Sequence, residues 1–127
     1  MKYFLNRADR DLFYSRNDPK DRRLGELVSR VSIDEIKPED VVIIGIPEDR
    51  GITANKGRAG ASKAPDDIRR RFYRLTPGFT MDFNRISVVD AGNLCTDDMT
   101  LEEVHIAEQE AVADIVSRGA VPVVLGG

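Results

Sequence analysis

Three short runs of β-branched residues constrain this chain more than any other feature: V-V-I-I-G-I at 41–46, I-S-V-V at 86–89 and V-P-V-V-L at 121–125. Each is continuous and too short for a helix, the mark of a strand buried on both faces in a parallel sheet. Helical signals lie between them. Ala64-Pro65-Asp66-Asp67 opens a segment running to about 75. Pro suits a first helical turn, and acidic residues suit the positive end of the helix dipole. Ile68, Phe72 and Leu75 form its apolar stripe, leaving Arg69, Arg70, Arg71 and Arg74 as a solvated face. Thr100-Leu101-Glu102-Glu103 is a capping box, and Gly119 is a stop signal, so a second helix is predicted over 101–118. Leu101, Val104, Ala111, Val112 and Ile115 supply its stripe. The pattern is β-α-β-α-β, with parallel strands near 41–46, 86–90 and 121–125 and helices near 65–75 and 101–118.

The first strand leads into a long polar loop, 47–64. Pro47 stops strand pairing, and Gly51, Gly57 and Gly60 punctuate a stretch that carries Glu48, Asp49, Arg50, Asn55, Lys56 and Arg58. Loops after the carboxyl ends of parallel strands are where α/β proteins place their chemistry. The loop has neither a G-x-G-x-x-G fingerprint nor P-loop spacing, and the chain has no G-x-S-x-G elbow. Asp90, at the end of the second run, is expected to cap a turn, Asp90-Ala91-Gly92-Asn93. His105 and Glu108 lie three apart on the second helix, a spacing that binds metal in some helical proteins. A metal needs more ligands than these two, and a hydrogen-bonded pair at the helix edge is the expectation.

The chain has 127 residues, one domain's worth. Residues 1–40 read as an arm wrapping the domain formed by 41–127. Within it Leu24, Leu27, Val28 and Val31 predict a short helix over 23–31, and Leu12, Phe13 and Tyr14 are candidate anchors. The net charge of -3 argues against a nucleic-acid binder. No apolar run approaches the about 20 residues of a membrane span, and the N-terminus lacks a signal-peptide core. Cys95 is the single cysteine, which fits the reducing cytoplasm.

The last run ends in Gly126-Gly127, a strand-to-helix turn with no helix after it. Three strands and two main helices leave an open sheet edge and thin cover, so the expectation is the first half of a larger α/β domain.

Three stretches carry a resemblance: I-G-I-P-E-D-R-G-I-T-A-N-K-G-R-A-G-A-S-K-A-P-D-D-I-R-R at 44–70, V-V-D-A-G-N-L at 88–94 and A-V-P-V-V-L-G-G at 120–127. The chain resembles the N-terminal part of the ureohydrolases: arginases, agmatinases and formiminoglutamases. N-K-G-R-A-G-A followed by P-D-D-I-R-R is similar to formiminoglutamase-type members, as are Arg16-Asn17-Asp18-Pro19 and Arg23-Leu24-Gly25 of the arm.

The resemblance implies a three-layer α/β fold with a parallel sheet, of which this chain holds only the N-terminal β-α-β-α-β portion. It implies a binuclear manganese centre at the strand ends of the complete enzyme, where a metal-bound hydroxide attacks an amidine or guanidine carbon. In the family the first metal-binding histidine directly follows the turn matched by Gly126 and Gly127. No metal ligand is therefore expected here, His105 matches no ligand position, and no manganese is expected on this chain alone. Family strand order sets the third strand beside the first, bringing the loop 47–64 next to Gly126-Gly127. Asn55, Lys56 and Arg58 are then candidate contacts for a substrate bearing carboxylates, such as formiminoglutamate; shaping the loop, or pairing with Glu48 and Asp49, is the structural alternative. The implied partners are an amidine or guanidine substrate, a C-terminal half or second chain, and further copies in a homo-oligomer. The other functional reading is a non-catalytic α/β module that binds a small anion or a partner protein through the loop 47–64.

Overall fold

The structure, a computed structural model, describes residues 3–49, 60–78 and 82–126. At its centre is the apolar run Val41–Ile46, strand β3. Strand β4, Val88–Leu94, pairs with it in parallel on one side (Val42 opposite Val89). Strand β5, Val121–Gly126, pairs in parallel on the other (Ile44 opposite Val124). The arm completes the sheet at the far edge of β4. Two residues of β1, Leu5–Asn6, run antiparallel to the end of β4, and two of β2, Ser29–Arg30, run parallel to its start. The order is β1-β4-β3-β5, with β2 also on β4. The three long strands are parallel, as their sequence predicts, and the third lies beside the first.

Side chains alternate across β3. Val42, Ile44 and Ile46 face helix α3, Leu101–Ser117, meeting Val104, Ala107, Ala111 and Ile115. Ile43 faces the opposite layer, with Tyr73, Leu24 and Val28. That layer comprises helix α2, Ala64–Phe72, and the single turn α1, Leu24–Leu27. Helix α3 starts at the expected capping box: Thr100 Oγ1 accepts from the Glu103 amide at 3.1 Å, and Glu103 Oε1 accepts from the Thr100 amide at 3.0 Å. Hydrogen bonding from Thr100, its backbone amide first, holds the Glu103 carboxyl below its ordinary range. Gly119, at φ 79°, closes the helix in the left-handed region that favours glycine.

Four expectations need correction. The helix expected over 23–31 is helical only at Leu24–Leu27. Val28 turns extended, and β2 then docks on β4, with the Val31 amide donating to the Asp90 carbonyl. The apolar spacing was real, but Leu24 and Val28 serve one face of the sheet and Val31 the other. Second, α2 does not bury Ile68, Phe72 and Leu75, which are exposed; it buries Pro65 and Arg69, and Tyr73 just past its end. Third, β4 does not stop at Asp90 but continues to Leu94, because Asn93 and Leu94 pair with the arm. Fourth, β5 is only partly buried: Val121 is 56% and Val123 39% exposed at the sheet edge.

Beneath Ile68 and Phe72 lies an apolar groove of about 230 Å³, walled by Ile43, Phe83, Val123 and Leu125. No helix of the described residues is long and apolar enough to cross a membrane.

Candidate functional site at the strand ends

The carboxyl ends of β3, β4 and β5 lie side by side, and their spacing is set by small residues. A Cβ built on Gly45 would fall 2.6 Å from Cβ of Pro65 and closer still to Oδ1 of Asn93. One on Gly126 would meet the Ile46 carbonyl at 3.0 Å and Cγ of Pro65 at 3.4 Å. The first turn of α2 therefore seats directly on the ends of β3 and β5. The strand order reverses about β3, so this is the switch point where open α/β sheets bind ligands.

From β3 the chain passes Pro47 to Glu48, whose amide donates to the Ile46 carbonyl at 2.9 Å and whose side chain is buried. Oδ2 of Asp49 then accepts from the Gly60 amide at 3.1 Å and the Ser62 hydroxyl at 3.2 Å. One carboxylate thus holds together the two ends of the loop. The candidate substrate residues Asn55, Lys56 and Arg58 fall between those ends, outside the described residues, as does Gly127.

Between α2 and β4 lies a polar cluster that the apolar pattern of the sequence does not announce. Arg69 is 1% exposed, not part of a solvated face. Its Nε donates to Oδ2 of Asp90 at 2.7 Å and its Nη2 to Oδ1 at 2.9 Å, a bidentate pair. The Tyr73 hydroxyl donates to the same carboxylate, and so does the Gly92 amide, at 2.9 Å. Nη1 of Arg69 reaches Oδ1 of Asn93 and, at 3.2 Å, Oδ1 of Asp66, which also accepts from Nδ2 of Asn93 at 3.1 Å. Burial opposes the charge on Arg69, but the bonds and charge of Asp90 outweigh it and raise the guanidinium's pKa. Burial, with the Asp90 charge and hydrogen bond, raises the Tyr73 hydroxyl well above 10.0.

Asp90 does not cap a turn. Its carboxylate braces a β-bulge, where pairing with β3 skips from Ile43–Asp90 to Ile44–Gly92. Bulges re-aim side chains, and here the shift brings Asn93 over Gly45. One signal in the sequence marks the cluster: Pro65, Arg69 and Tyr73 recur every fourth residue, a helical face with a charge at its centre.

His105 is exposed on α3, in the layer against the opposite face of the sheet from α2, and Glu108 is half-buried one turn on. Among the described residues no three His, Cys, Asp or Glu side chains are grouped to hold a metal ion. These residues do not fit a manganese centre, and no hydrolytic step is assigned to them.

Fold, strand-end crevice and sequence together define the class. The Arginase family profile matches residues 39–127, and the chain belongs to the arginase family. Within it, the chain is similar to formimidoylglutamases. It is 39% identical over 84 residues to that of Clostridium tetani, covering 66% of this chain and 24% of the relative. It is 32% identical over 120 residues to that of Aeromonas salmonicida, covering 91% and 37%. The crystal structure of Trypanosoma cruzi formiminoglutamase with Mn2+ superposes with a TM-score of 0.68 at 37% identity, over 84% of this chain and 36% of that one. The chain thus spans between about a quarter and somewhat over a third of the length of these relatives.

Proposed function

We propose that this chain is the N-terminal segment of a manganese-dependent hydrolase that cleaves a C–N bond of an amidine or guanidine substrate. Formiminoglutamate is the first candidate substrate; arginine and agmatine are the others. The observation that carries this reading is the strand-end crevice, where Gly45, Pro65 and Gly126 close-pack in a chain of this family. The proposed metal ligands lie outside the described residues, in segments that would follow Gly126 and Gly127. Asn55, Lys56 and Arg58 are proposed to contact the substrate's carboxylates, and the Asp49 clamp fixes where that loop leaves and rejoins the fold. The apolar groove under α2 and the edge of β5, unpaired among the described residues, support a role for a C-terminal half or a second chain as their cover. The proposed setting is a homo-oligomeric enzyme of the cytoplasm, with which the lone Cys95 agrees.

The isolated chain is expected to hydrolyse none of the three substrates, even with added manganese. Fused to the C-terminal portion of the Clostridium tetani relative, it is expected to gain formiminoglutamate hydrolysis. Tight stoichiometric manganese binding by the chain alone would overturn the assignment and return attention to His105 and Glu108. A well-folded fusion without hydrolase activity would favour the anion- or partner-binding module.

A further inference from the structure

The arm and β2 enclose a cleft of about 450 Å³, lined by Arg7, Arg10, Arg30, Phe13, Val28 and Ser29. The same three arginines wall a neighbouring hollow of about 600 Å³, which also holds Asp9, Asp11 and Asp66. The arginines are shared by the two spaces, whereas the carboxylates of Asp9, Asp11 and Asp66 are spread round the second and none lines the first.

The arginines are only partly engaged. Nε of Arg30 donates to the Ala8 carbonyl at 2.8 Å, which pins the arm and leaves both Nη groups without a partner among the described residues. Nη2 of Arg7 meets Oε1 of Glu35 at 3.2 Å in a pair that is half exposed on both sides. The Arg10 side chain makes no hydrogen bond or ion pair among the described residues. Three guanidinium groups converge on one cleft, and on a chain of net charge -3 their grouping is not forced by an excess of basic residues. Guanidinium forks match the geometry of carboxylate and phosphate oxygens. Phe13 is held by stacking on Tyr73, ring centroids 4.5 Å apart, so one wall of the cleft is fixed to the core.

We propose that this cleft binds a small oxyanion, the phosphate or carboxylate end of a metabolite-sized ligand, seated between Arg10 and Arg30 in the acid-free space. The proposal does not depend on the hydrolase reading, because none of its residues belongs to the loop 47–64 or to the turn at Gly126.

The test titrates the chain with inorganic phosphate and, separately, with succinate, following the arginine Nε–H resonances by NMR. Saturable shifts at Arg10 and Arg30 that weaken with salt are expected, and the stronger of the two anions names the source. Arg10→Gln should weaken binding about tenfold, the loss of one charge-assisted hydrogen bond. Arg85→Gln, which removes an equal charge from an 86% exposed side chain beside Asp82, should leave binding unchanged. Arg30→Gln risks releasing the arm, so the comparison rests on Arg10. Shifts that never saturate, or equal weakening by Arg10→Gln and Arg85→Gln, would overturn the proposal in favour of general charge attraction.

Discussion

Arg69 and Asp90, residues that are each 1% exposed, form a bidentate ion pair at 2.7 and 2.9 Å, joining helix α2 to the middle of β4. A buried pair of this kind is weak evidence for net stability, but it cannot lose one partner cheaply. Arg69→Met should destabilise the chain by about 3–5 kcal/mol by stranding the Asp90 carboxylate in the core. Arg70→Met removes an exposed pair with Asp67 and should cost less than about 1 kcal/mol. Urea unfolding of both variants at one protein concentration checks the contrast; equal effects would mean that Arg69 is not buried.

The Tyr73 hydroxyl predicts an alkaline limb. Its folded pKa is raised by burial and by Asp90, whereas the unfolded chain titrates near the ordinary value of 10.0. Above that pH the folded state keeps a proton that the unfolded state has lost. The contribution is therefore complete below about pH 10 and declines above it, at up to about 1.4 kcal/mol per pH unit for this one group. Tyr73→Phe should flatten the fall in unfolding free energy above about pH 10. Tyr3, whose hydroxyl is likewise raised by burial and by Asp114, adds to the slope that remains. An unchanged slope in the variant would contradict this account.

How much of this was legible beforehand differs by residue. The run at 41–46 could only be a buried strand, and Thr100 with Glu103 could only start a helix, because both signals are local. Arg69 was misread because four arginines in six residues look like a solvated face; what buries one of them is a carboxylate 21 residues away. The strand end at Leu94 was misread because Gly92 and Asn93 have turn chemistry, and what makes them strand is pairing from far off in sequence, with β3 past the bulge and with the arm at Asn93 and Leu94. The candidate contacts at Asn55, Lys56 and Arg58 rest on resemblance, with no local rule to place them.

Gly92 offers a sharper test of that arm. It sits at φ 90°, and a Cβ there would collide with the Asn6 carbonyl. Gly92→Ala should push β1 off β4 and break the bond from the Cys95 amide to the Phe4 carbonyl, now 2.8 Å. Cys95, half-buried beside β1, should then react with a thiol reagent several times faster than in the unsubstituted chain. No change in rate would show that β1 tolerates the side chain.

The β5 edge predicts association. Val121 and Val123 expose apolar side chains on a strand with one neighbour among the described residues, next to the groove under α2. Such edges recruit other chains. The isolated chain should sediment as oligomers at micromolar concentration, and Val123→Lys should shift it toward the monomer. A compact monomer that unfolds cooperatively and exposes no dye-binding surface would instead mark the chain as a self-sufficient domain.

The arm's bonds also set a timetable. The Tyr3 hydroxyl donates to Asp114 at 2.6 Å across 111 residues of sequence, and Leu5 pairs with Leu94. A ribosome adds about 5–20 residues each second, so Tyr3 is made roughly 5–20 seconds before its acceptor. Throughout that interval Leu5, Leu12 and Leu24 travel without the surfaces that later cover them. The arm, made before the surfaces it docks on, is thus among the last parts to settle, and it is the arm, rather than the central strand, that a ribosome-associated chaperone would have reason to hold.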